Sequence, residues 1–177
     1  MTGKRKAINQ LAYDIRNSLA LYTPINNIND IPKILGGEIE FSNYLENDME
    51  AMIEKTDENF VIRIKDQPSI QRMRFSIAHE LGHLFLHMGY LINESLWSEV
   101  RNYKDSVYYR NGYGTEENEA NEFAGAFLMP EEEFKTKAKE NLKDGLYDID
   151  AIATHFNVSV SAAIIRGKWL GLFGWED

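Results

Sequence analysis

The chain of 177 residues contains no cysteine, so a disulfide scaffold and thiolate metal ligands are excluded. Any zinc site must use histidine and carboxylate, and histidine is scarce too, with four in all. No apolar run approaches the roughly 18–20 residues of a membrane span. Lys4, Arg5 and Lys6 open the chain like a signal peptide. Asp14, Arg16 and Asn17 interrupt the next segment, so it holds no continuous apolar core. Basic residues are outnumbered 19 to 28, and the net charge of -9 argues against broad nucleic-acid or anionic-membrane binding. The rest is an ordinary globular composition, 44% hydrophobic and 27% charged. The expectation is a cytoplasmic protein that touches neither membrane nor nucleic acid directly. With no internal repeat or linker evident, 1–177 reads as one domain, and 145–177 as a C-terminal helix-turn-helix-like extension.

The patterning supports mixed secondary structure. Ile8, Leu11, Ile15 and Leu19 recur at helical spacing, and Thr23-Pro24 stops that helix. Asp30-Ile31-Pro32 opens a short helix that Gly36-Gly37 closes. Three strand-like runs come next, Glu38 to Phe41, Glu50 to Lys55 and Phe60 to Lys65, with a turn at Thr56 to Asn59. They predict a small antiparallel three-stranded sheet. A helix is expected to start at Asp66-Gln67-Pro68-Ser69, with Pro near the first turn, and to run to about Met88. Ile70, Met73, Ile77, Leu81, Leu84 and Met88 form an apolar stripe, and the helix is apolar nearly all round and therefore central and buried. Asn93 to Gly114 has no period and reads as a long loop. Thr115 can cap a further helix, with Glu116 and Glu117 at its positive end. Pro130 with three glutamates starts another, reaching toward Asp144-Gly145.

One stretch carries chemistry: Ile77-Ala78-His79-Glu80-Leu81-Gly82-His83. Residues four apart share a helix face, so His79 and His83 can aim two imidazoles at one cation. Glu80 lies where its carboxylate can reach a water on that cation. The bland alternative is a helix with two satisfied histidines and a surface glutamate. Placement in an apolar segment argues against it, because uncompensated polar groups there are costly. A third ligand is needed. His87 lies about 12 Å from His79 along the axis, too far to share the ion, and reads as a structural or capping residue. His155 belongs to a distant helix. The remaining candidates are Glu116, Glu117, Glu119 and Glu122. Glu117 and Asn121 share a face with Ala120 and Ala124, which would allow close helix approach, but spacing alone leaves the choice open.

Phe75 to His83, the run Glu117-Asn-Glu-Ala-Asn-Glu-Phe-Ala124 and Leu128-Met129-Pro130 together resemble the ImmA/IrrE family of metallo-endopeptidases. The resemblance is good from Ser69 to Pro130 and looser in the flanks. It implies an α+β, zincin-like core with a small sheet, an active-site helix and a glutamate helix, followed by a C-terminal helical hairpin. It implies that His79, His83 and Glu117 bind Zn2+, that Glu80 is the general base, and that Asn121 steadies a histidine. The long 93–114 segment departs from the family pattern. Tyr109 or Tyr113 within it is a candidate donor to the oxyanion.

Asp148 to Phe173 has the rhythm of a helix-turn-helix. Arg166 and Lys168 come late in the second helix, so a packed hairpin is preferred over DNA binding. The resemblance implies a protein substrate that is itself a helix-turn-helix transcriptional repressor. The expected activity is therefore zinc-dependent cleavage of such a repressor, regulating transcription. The alternatives are a non-proteolytic module that sequesters a regulator and, behind it, a DNA-binding regulator.

Overall fold

The computed structural model describes residues 3–43, 45, 49–66, 69–100 and 114–174. In chain order the elements are α1 (Gly3–Ser18), a 3-10 turn (Ile28–Asp30), α2 (Ile31–Ile34), β1 (Glu38–Ser42), β2 (Ala51–Thr56), β3 (Asn59–Lys65), α3 (Ile70–Leu86) and α4 (Glu94–Glu99). They continue with α5 (Thr115–Leu128), α6 (Glu131–Glu140), β4 (Leu142–Lys143), β5 (Leu146–Tyr147), α7 (Ile149–Phe156) and α8 (Val160–Trp169). The class is α+β, as expected. These elements group into two compact units, residues 27–124 and residues 1–26 with 125–177.

In the 27–124 unit the three-stranded sheet has the order β1-β3-β2. The antiparallel expectation is corrected at one pair: β2 runs antiparallel to β3, but β1 runs parallel to it. The reason lies in the sequence of β3. Phe60, Val61, Ile62 and Ile64 are all buried, so β3 is driven to the centre and needs a neighbour on each side. The tight turn at Asp57-Glu58, with Asp57 at φ 42°, fixes β2 as one neighbour. β1 takes the other side, in the parallel sense. Leu45 and Met49 are buried with Met52. Arg63 ties the strands together on the wetter face, bonding Glu40 at 2.8 Å and Glu54 at 2.6 Å.

α3 packs on β2, β3 and the 3-10 turn. Ser69 caps it, accepting from the Arg72 amide. The helix is buried without a break from Ile77 to Phe85, as its all-round apolar pattern predicts. Ile70, expected on the apolar stripe, is exposed in the first turn. Gly89 follows the helix at φ 76°, a conformation that suits glycine. The unpatterned segment after it contains α4; Tyr109 and Tyr113 lie outside the described residues.

In the other unit, α1 buries Ile8, Ala12 and Arg16 along one stripe. α7 and α8 form the expected hairpin. Asp148 and Ser159 cap the two helices, and Asn157 adopts the left-handed conformation between them. Phe156 stacks on Phe134 of α6, with centroids 5.6 Å apart. α6 ends at Glu140, earlier than expected, because Asp144-Gly145 makes a β4–β5 hairpin turn. Both residues have positive φ, 51° and 82°.

Candidate metal centre

The site lies within the 27–124 unit and is built by α3 and the first turns of α5. Small residues let the helices meet: a Cβ on Gly82 would lie 3.0 Å from the Ala120 Cα and 3.1 Å from its carbonyl oxygen. At this approach, side chains of adjoining turns on the two helices face one another. His79, His83 and Glu117 are buried, and among the described residues they form the group of three whose ligand atoms all lie within 4.8 Å of one another.

The distances are those of a coordination shell. His79 Nε2 and His83 Nε2 are 3.0 Å apart. The Glu117 carboxylate oxygens stand 3.4 Å from His79 Nε2 and 3.3 Å from His83 Nε2. Bonds of about 2.0–2.1 Å to a central zinc put ligand atoms roughly 3.3 Å apart at the corners of a tetrahedron. The protonation pattern agrees. Asn121 Oδ1 lies 3.0 Å from His79 Nδ1, and an amide oxygen only accepts, so that nitrogen carries the proton. In neutral His79 the Nε2 lone pair then points at Glu117 and His83. Burial raises the Glu117 carboxyl, but His79 and His83 in their protonated forms outweigh it and hold the group well below the usual carboxylate range. Burial pushes the His83 imidazole down, toward the neutral form that a metal requires. Two imidazoles and one carboxylate, drawn together around a gap of this size, are a donor set that would fit zinc.

Glu117 is the acid that lies against both histidines. Asn121 sits behind His79. Glu80 is fully buried on α3 beside His79. Glu119 and Glu122 are not among the three grouped ligand atoms. Glu122 is buried, and Glu119 lies 3.5 Å from His87. His87 is the C-cap residue of α3, and its Nδ1 lies 2.9 Å from His83 Nδ1, a contact that axial distance from His79 does not disclose. The signal is present in the spacing: 79, 83 and 87 are each four apart. His155 belongs to the other unit, where it lies 3.1 Å from Glu133.

The sequence model of the IrrE N-terminal-like domain, peptidase M78, matches residues 41–168, well over half of the chain. The chain belongs to this family. The M78 match takes in α3, α5 and His79, Glu80, His83, Glu117 and Asn121, and membership carries metallopeptidase function at the level of the family. The α+β core is the zincin-like fold of M78 proteins. A search of curated proteins returns no match. Among solved structures, a Mycobacterium tuberculosis transcriptional regulator is similar over 91% of this chain, with a TM-score of 0.63 at 20% identity. At that identity the likeness is one of fold. The M78 chain spans 46% of that protein's length.

Proposed function

We propose that the protein is a zinc-dependent endopeptidase of the cytoplasm whose substrate is a helix-turn-helix transcriptional repressor, so that cleavage regulates transcription. The observation that carries this reading is the convergence of His79, His83 and Glu117 beside a buried Glu80. A site meant only to brace the fold gains nothing from an open position with an acid next to it. His79 and His83 would hold the metal from α3 and Glu117 from α5. When bound, zinc polarises the scissile carbonyl and lowers the pKa of a coordinated water toward about 7. Glu80 takes a proton from the attacking water and returns it to the leaving amine nitrogen. Asn121 accepts from His79 Nδ1 and keeps the other ring nitrogen aimed at the metal.

The family match crosses the boundary between the two units, which supports treating 1–177 as one peptidase domain with 145–177 as its helical extension. A net charge of -9 suits a substrate with a basic DNA-binding surface. The reading in which the chain itself binds DNA loses support from Arg166. That guanidinium is buried, donating to the Met129 carbonyl and to Asn9 Oδ1. The start of α8 offers Val160, Ser161 and Ala162, not cations. Among the described residues no helix is long and apolar enough to cross a membrane.

The test is incubation of the purified protein with zinc and a candidate repressor, read by mass spectrometry. A defined cut that chelation abolishes is expected. Glu80→Gln should retain zinc and lose about 10²- to 10⁴-fold in cleavage rate. A repressor bound tightly but left intact would favour the sequestering module instead.

A further inference from the structure

We propose that His87 and Glu119 are positioning residues of the metal centre, a two-member relay that fixes the ring and the proton of His83. The inference rests on the reading of His83 as a ligand and extends it outward by one layer. His83 presents Nε2 to Glu117 Oε1 at 3.3 Å and to His79 Nε2 at 3.0 Å. Its second nitrogen, Nδ1, lies 2.9 Å from Nδ1 of His87. At that separation one nitrogen donates and the other accepts.

A neutral imidazole carries a single N–H. If the Nε2 lone pair of His83 faces the metal, its proton is on Nδ1 and is donated to His87 Nδ1. His87 must then keep its own proton on Nε2. That nitrogen faces Glu119 Oε2 at 3.5 Å, an ion-pair distance longer than a normal hydrogen bond, which places the carboxylate oxygen as the acceptor toward which such an N–H turns. One requirement, ligation through His83 Nε2, thus assigns every proton along the chain. The side chains of His87 and Glu119 are only 7% and 13% exposed, so bulk solvent does little to blur the arrangement. The rings of His83 and His87 are tilted at 53° with centroids 4.9 Å apart, which limits rotation of either.

The two histidine ligands are therefore held by different means. An amide oxygen holds His79, and an imidazole backed by a carboxylate holds His83.

The test uses the whole protein with zinc, cobalt(II) and 15N-labelled histidine. His87→Phe keeps a ring and removes the nitrogens. It should raise the zinc dissociation constant about 10- to 100-fold and shift the visible bands of the cobalt(II) form. Glu119→Ala should weaken zinc several-fold, whereas Glu119→Gln retains an acceptor and should stay near wild type. In the zinc-loaded wild type, 15N shifts should place the His87 proton on Nε2. Unchanged zinc affinity in both His87→Phe and Glu119→Ala would overturn the proposal, and so would a His87 proton on Nδ1. If His87→Phe does not fold, Glu119→Ala and the 15N shifts decide. A wild-type protein that takes up no zinc would instead overturn the metal site itself, a result distinct from normal wild-type binding with unaffected variants.

Discussion

At the scale of single residues, the site turns on which nitrogen of each histidine carries a proton. His79 Nδ1 donates to Asn121 Oδ1, which frees Nε2 for the metal. Asn121→Ala removes that acceptor and leaves the ring able to adopt the wrong tautomer. A loss of about tenfold or more in zinc affinity is expected, with near-normal secondary structure. Competition with a chromophoric chelator measures the first, and circular dichroism the second. An Asn121→Ala protein with wild-type affinity would remove Asn121 from the account. The four-residue spacing of His79 and His83 is enough to place both rings on one face. It is not enough to choose the acid, since Glu116, Glu117, Glu119 and Glu122 crowd the same two turns. That choice needs the helix–helix approach, which no local pattern contains.

At the scale of elements, the position of α5 against α3 decides whether Glu117 reaches the histidines. Ala120 is legible in sequence as a small residue permitting close approach, but its counterpart Gly82 is hidden inside the histidine motif. Gly82→Ala places a methyl 3.0 Å from backbone that cannot yield as a side chain would. We expect a stability loss of about 1–3 kcal/mol in chemical denaturation, together with weaker zinc binding. A variant as stable as wild type would show that the helices have slack. Helix limits are readable because Ser69, Asp148, Ser159, Asn157 and Gly89 act locally as caps and stops. The parallel β1–β3 pair is not, because strand direction is set by tertiary pairing around β3, not by any residue pattern within β1. Asp144-Gly145 reads as a helix stop, yet the same dipeptide is a hairpin signal, and the hairpin wins. In sequence, Arg16 merely interrupts an apolar segment and Arg166 merely adds late charge to a helix. Both are buried near the end of α5, where Arg16 donates to the Phe127 carbonyl at 2.6 Å and Arg166 to that of Met129 at 3.0 Å. Cations there satisfy carbonyls that the helix leaves open.

At the scale of the whole molecule, a metal bound only by the folded chain must stabilise it. At a hundredfold excess of zinc over its dissociation constant the gain is about 2.7 kcal/mol. For a chain of this length that corresponds to roughly 5–10 °C in melting temperature. The rise should vanish in Glu117→Ala and persist in Glu80→Gln, which separates holding the metal from using it. Equal rises in both variants would place the zinc elsewhere. The measurement that bears most directly on the account is anomalous diffraction at the zinc edge from crystals of the full chain. It should show one strong peak within about 2.0–2.2 Å of His79 Nε2, His83 Nε2 and a Glu117 oxygen. Zinc-saturated crystals with no peak among those three side chains would contradict it.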